Sequence, residues 1–241
     1  ESLWACTLPP FLLHQPRPYK DDSQGAFGGG CCPAQRGHGQ QKTGKVGLKM
    51  EIIKVNASKE YDVVMASHAE DLVDSKLPQG EYVAVRREIE YAKKIGCRYH
   101  FCHMSTKESF EYIRQAHKEG FNNITCEVAP HHLLLNETMI KDGNYKMNPP
   151  LRSKENQLAT IQALLDKTAI MIASDHAPHS KDEKNKEYDK CLNGIIGIET
   201  MLPLIYTHFI ETKKATLDDF VDWFVTNPNK VFKLPERKIQ E

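Results

Sequence analysis

The chain has 241 residues, enough for one large α/β domain or two small ones. Its 32 Lys and Arg balance 32 Asp and Glu, so no charge excess points to nucleic acid or an anionic membrane surface. No apolar run approaches the ~20 residues of a membrane span, and seven cysteines without framework spacing read as reduced thiols of a cytoplasmic protein.

Residues 1–49 hold eight of the 14 glycines, five of the 13 prolines and three of the seven cysteines, with neither helical nor strand period. Composition predicts a low-complexity segment, disordered or non-native. Patterned sequence begins just after Met50, which places the domain proper at 50–241.

From there strands and helices alternate. Residues 61–67 read as a strand, and 81–95 as a helix with Tyr82, Val85, Ile89 and Ala92 on one face. A strand at 98–103 precedes a helix at 106–119 that turns Phe110, Ile113 and Ala116 inward. A strand at 123–128 is followed by a helix at 155–165, striped by Leu158, Ile161 and Leu165. Residues 169–174 form the fourth strand and 198–210 an apolar helix. The last helix, 216–225, carries Leu217, Phe220, Val221 and Phe224 at i, i+3, i+4 and i+7, with Thr216 as N-cap and Asp219 three residues on. Such alternation predicts parallel strands with right-handed crossovers. Four βα units are half of a (β/α)₈ barrel, which typically takes ~250 residues. The predicted class is therefore α/β, a partial (β/α)₈ TIM-type barrel of about four βα units. Its two outer strands would lack partners, which predicts self-association.

The chemistry gathers at strand ends. The apolar run Ala169-Ile170-Met171-Ile172 stops at Ser174-Asp175-His176-Ala177-Pro178-His179. Val63-Val64-Met65-Ala66-Ser67 leads into His68-Ala69-Glu70-Asp71, and Tyr99-His100-Phe101-Cys102 into His103. Parallel strands of a barrel deliver such residues to one mouth, so His68, His103 and Asp175 are candidate metal ligands. Asp175 is also suited to exchange a proton with a metal-activated water; the plainer alternative is an N-cap. His131 and His132 follow Pro130, so at most one of them can point inward; the pair reads as structural or as support behind the ligands, and His100 as a packed strand residue. Cys102 reads as a buried, inert thiol. The prolines of Asn148-Pro149-Pro150-Leu151-Arg152 fix a loop in which Asn148 either meets substrate or staples the backbone. Glu70-Asp71 and the charge run 181–190 read as solvated surface.

Taken in order, these segments resemble dihydroorotase, of the amidohydrolase superfamily, over about residues 52–241. The motifs are His68-Ala69-Glu70-Asp71, Phe101-Cys102-His103-Met104-Ser105, Glu127-Val128-Ala129-Pro130-His131-His132-Leu133, Met147-Asn148-Pro149-Pro150-Leu151-Arg152, Ser174-Asp175-His176-Ala177-Pro178-His179 and Gly197-Ile198-Glu199-Thr200-Met201-Leu202-Pro203-Leu204. The resemblance implies zinc, binuclear in the family. His68 and His103 would ligate one ion, and Asp175 would ligate the other and act as general acid/base. Asn148 and His179 would hold the substrate, with His179 near its carboxylate. The implied reaction is reversible cyclisation of N-carbamoyl-L-aspartate to dihydroorotate, in pyrimidine biosynthesis. The family's first-strand His-x-His, its bridging lysine or aspartate and its C-terminal β-structure have no counterpart here. Little turnover by these 241 residues alone is therefore expected. Two alternatives share the resemblance: a non-catalytic dihydroorotase-like partner of aspartate transcarbamoylase, or another cyclic amidohydrolase such as allantoinase or dihydropyrimidinase. Asn148 before the proline pair favours dihydroorotase.

Overall fold

Four short strands set the frame. In the computed structural model, which describes residues 58–71 and 77–235, β1 (Met65–Ser67), β2 (Tyr99–Phe101), β3 (Ile124–Val128) and β4 (Met171–Ile172) form one sheet in the order β1-β2-β3-β4. Every pairing is parallel: Met65 lies opposite Tyr99, Tyr99 opposite Ile124, and Glu127 opposite Met171. This is the α/β arrangement of four βα units that the alternation predicts. The expectations for residues 1–49 and for the start of the domain at 50–57 lie outside the described residues.

Strand alternation sorts the residues into two faces. Tyr99, Phe101, Ile124, Cys126 and Val128 point to the helical layer, where they share a core with Val85, Ile89, Phe110, Ile113 and Leu164. Burying each large apolar side chain contributes roughly 1.5–3 kcal/mol. On the opposite face the fully buried His100 lies between Thr125 Oγ1 at 2.8 Å and Glu127 Oε2 at 3.2 Å. It is the packed strand residue expected of it.

The crossover helices follow their sequence signals. α1 (Pro78–Ile95) opens with proline in its first turn and stops at Gly96, whose φ of 71° lets its N–H reach the Ala92 carbonyl. Its buried face is Glu81, Ala84, Val85, Glu88, Ile89 and Ala92; the expected Tyr82 is only partly buried, and Glu81 takes its place. α2 (Lys107–Lys118) buries Phe110, Ile113 and Ala116 as predicted. α3 (Pro130–Leu134) is a short helix begun by Pro130. α4 (Lys154–Leu165) is N-capped by Ser153. Ile161 and Leu165 pack on the core, but Leu158 is 54% exposed. The buried face of α4 is set instead by Gln157, which bonds Asn136 and the Leu133 carbonyl, and by Thr160, Ala163 and Leu164.

The C-terminal third departs further. After α5 (Lys181–Lys184), α6 (Ile198–Ile205) runs into a π-helical segment, Tyr206–Glu211. α7 (Leu217–Val221) begins with the expected capping box of Thr216 and Asp219, then passes through a second π segment, Asp222–Thr226, into α8 (Asn227–Phe232). Phe220 and Phe224 pack inward around the buried Trp223, while Leu217 and Val221 stay 58% and 45% exposed. The aromatic face wins because Trp223 meets Phe209 edge-on at 5.8 Å. Asn227 then donates to the Ile170 carbonyl, and Arg98 to those of Lys230 and Val231, tying this region to the sheet. Among the described residues no helix is long and apolar enough to cross a membrane.

Candidate active site at the strand ends

The loops that leave β1 and β2 bring His68 and His103 together. His68 Nδ1 lies 2.5 Å from His103 Nε2, closer than the ~2.9 Å of an ordinary N–H bond, with ring centroids 4.6 Å apart. Two imidazole nitrogens thus face each other. His103 is 7% exposed and its Nδ1 is buried without a hydrogen-bond partner among the described residues. Burial is the main cause holding His103 below its usual pKa, with Asp175 pulling it up and His68 pushing it down. The ring is therefore neutral near pH 7, the form that ligates a metal.

Asp175, past the end of β4, completes the electrostatics. Burial raises its carboxyl pKa, Glu127 adds to the rise, and the two histidines oppose it. His103 and Asp175 share a second property: both have positive φ, 38° and 46°. Non-glycine residues in that region are held there by their surroundings, and such strain concentrates at functional sites. Asp175 thus sits within electrostatic reach of both imidazoles, but no group of three or more His, Cys, Asp or Glu that could hold a metal ion occurs among the described residues. The pair fits one side of a metal centre, and the described residues do not close it.

A cavity of about 50 Å³ adjoins the pair, lined by His68, Glu70, Glu81, His103, Asn148 and Arg152 among others. Asn148 Nδ2 donates to both oxygens of Glu70 at 3.1 Å. Glu70 is therefore not plain solvated surface as expected: it pairs with the loop across the cavity because Asn148 offers the donor it needs. His179 goes elsewhere. Its Nε2 donates to the Asn193 carbonyl at 2.8 Å, its Nδ1 is 3.8 Å from Glu183, and it lines a separate, larger cavity of about 690 Å³. The structure thus gathers His68, His103 and Asn148 around one cavity and leaves His179 beside another.

The neighbouring histidines are both buried. His132 Nε2 donates to the Pro149 carbonyl at 3.0 Å, and burial lowers its pKa to about 4. Burial, with His132 and His103 nearby, holds His131 well below the usual value. Cys102 is half-buried rather than buried; desolvation foremost, then Glu127 and Asp175, push its thiol up to about 12, which disfavours the thiolate. The charge run 181–190 holds one exception to its solvated reading. Lys184 is buried and donates to the carbonyls of Lys146, Leu192 and Gly194 at 2.8–2.9 Å, because three converging carbonyls replace its water.

Sequence reasoning missed Glu81 and Arg152. The signal for Glu81 was its place four residues before Val85 and eight before Ile89, an acid heading an apolar stripe. Arg152 was quoted only as part of its loop; it is 6% exposed and burial lowers its pKa against the pull of Glu81 and Glu70.

No family model matches the chain. It is 49% identical over 163 residues to a dihydroorotase of Listeria monocytogenes serotype 4b, covering 67% of this chain and 38% of that protein. It is 40% identical over 215 residues to the dihydroorotase of Bacillus pumilus, covering 81% and 50%. The chain therefore spans half or less of the curated relatives it matches. Among solved structures it superposes on a D-hydantoinase from a Bacillus sp. (TM-score 0.71, 24% identity) and on dihydropyrimidinase from Brevibacillus agri (TM-score 0.69, 23% identity), each covering 76% of this chain and 46% of the other. Over the matched segment, the chain is similar in sequence to dihydroorotases and shares the fold of the D-hydantoinase and the dihydropyrimidinase.

Proposed function

We propose that this chain is the dihydroorotase-type part of a metal-dependent cyclic amidohydrolase, acting on the dihydroorotate/N-carbamoyl-L-aspartate pair of pyrimidine biosynthesis. The observation that carries this reading is the meeting of His68 and His103 at 2.5 Å, beside a cavity that Asn148 also lines. The identity of 40–49% to dihydroorotases, against 20–26% to hydantoinases and dihydropyrimidinases, favours dihydroorotate over the other cyclic amides.

His68, His103 and Asp175 are the residues that would hold zinc. When bound, the metal lowers the pKa of water and supplies a nucleophile at neutral pH. The chain's own residues do the rest. Asp175, its carboxyl already raised, takes a proton on one side of the reaction and returns it to the ring nitrogen as the amide C–N bond opens. Asn148 offers an amide to the ring's paired donor and acceptor groups. His179 is assigned to the substrate carboxylate, for which it must exchange its bond to Asn193.

The test is ring opening of dihydroorotate, allantoin and dihydrouracil side by side by the protein in the presence of zinc, with bound metal measured. Metal uptake is the expected result, with the low turnover that these 241 residues alone support confined to dihydroorotate and lost in Asp175→Asn. Faster turnover of another ring overturns the substrate. Metal uptake without any turnover favours the non-catalytic partner of aspartate transcarbamoylase, and no uptake overturns the metal assignment.

A further inference from the structure

Behind the cavity lies a buried polar chain that joins two loops far apart in sequence. Glu81, 2% exposed in the first turn of α1, takes five hydrogen bonds from two residues. The Ser105 N–H reaches Oε1 at 3.0 Å and Oε2 at 3.2 Å, and the Ser105 hydroxyl reaches Oε2 at 2.5 Å. The Thr106 N–H and hydroxyl reach Oε1 at 3.0 and 2.8 Å. Ser105 Oγ in turn accepts from Arg152 Nε at 3.1 Å, and Arg152 Nη2 stands 3.9 Å from Glu81 Oε2.

The donors and acceptors run one way: guanidinium to hydroxyl to carboxylate. Ser105 has one hydroxyl proton, which goes to Glu81, and a lone pair left for Arg152, so each link needs the next. A buried carboxylate and a buried guanidinium are costly apart, and the shared hydroxyl links the two here. Its middle link, Ser105, lies two residues beyond His103 with its positive φ. Its donor end, Arg152, lies four residues beyond Asn148 and across the two prolines.

We infer that Glu81 is a positioning residue. It locks the His103 strand end to the Asn148–Arg152 loop, so that the metal-side imidazole and the substrate-side amide keep one spacing. Its role toward catalysis rests on the function proposed above; the mechanical coupling does not. Glu81→Gln tests it, because an amide accepts at one oxygen but cannot accept at the nitrogen that replaces the other.

Hydrogen–deuterium exchange gives the direct readout. Glu81→Gln is expected to speed exchange at least about tenfold both at 103–106 and at 147–152. Arg152→Met in the same background should add little at either segment, because the link is already broken. Faster exchange at 103–106 with 147–152 unchanged overturns the coupling. Should Glu81→Gln fail to fold, Ser105→Ala keeps both charges and removes only the relay; 147–152 exchanging as in the wild type would then overturn it. In the dihydroorotate assay Glu81→Gln should raise KM about tenfold with a smaller fall in kcat, and Glu81→Asp should recover part of the loss. A wild-type protein that opens no dihydroorotate sinks the functional reading, while the exchange result still decides the coupling.

Discussion

His132, in the short helix α3 that follows β3, donates its Nε2 proton to the carbonyl of Pro149, 3.0 Å away. A carbonyl can only accept, so this bond fixes the tautomer and leaves Nδ1, buried and unpartnered among the described residues, as the basic nitrogen. The substrate-side loop thus hangs from α3 by a neutral imidazole.

That bond makes stability acid-sensitive. The folded pKa of His132 is lowered by burial to about 4, against 6.5 for an exposed histidine. A lowered pKa means that the unfolded chain binds the proton first. The stabilisation is whole above pH 6.5 and is lost as pH falls from there toward 4, by an amount on the order of 3 kcal/mol. His131, lowered in the same direction, adds to it. Urea midpoints at pH 7 and pH 4.5 check this. His132→Gln, which still donates to Pro149 but does not titrate, should flatten the acid limb.

Lys184 anchors the segment after β4 through its three carbonyls. Lys184→Met fills the same space and leaves those acceptors unpaired. A loss on the order of 2–3 kcal/mol in chemical denaturation is expected. A change below about 0.5 kcal/mol would mean that water replaces the ammonium without cost.

Gly194 has φ of 153°, and a Cβ there would meet the Ala177 carbonyl and the His179 ring, whose Cδ2 would be 2.8 Å away. Both the backbone and the neighbours reject a side chain, so Gly194→Ala should cost roughly 1–3 kcal/mol and push the His179 ring off Asn193. The unfolding midpoint and the His179 ring resonances are the measurements.

Thr216 caps α7, its hydroxyl accepting from the Asp219 N–H at 3.1 Å while Asp219 reaches back to the Thr216 N–H at 3.0 Å. Thr216→Ala should lower stability by about 1 kcal/mol and Thr216→Ser by only a few tenths. Equal losses in thermal denaturation would show that the threonine methyl, rather than the cap, matters.

Short-range signals carried much of this into the sequence. Strand-end histidines announced His68 and His103, and the Thr216–Asp219 spacing announced its capping box, because both depend on neighbours along the chain. The shortness of β4 and the π segments after α6 and α7 were not legible, since packing around Phe209 and Trp223 sets them. Leu158 misled for the same reason: its helix buries a glutamine that has found two partners from other segments. Glu81, Arg152 and Lys184 look like surface charges in one dimension. Only the fold reveals the hydroxyls, amides and carbonyls that replace their water.

The left-handed backbone at His103 and Asp175 has a practical corollary. Glycine at either position would relax the main chain while erasing the imidazole or the carboxylate. A directed-evolution campaign scored on heat tolerance alone would therefore drift toward inert variants at these two codons, and selection for resilience must hold them fixed.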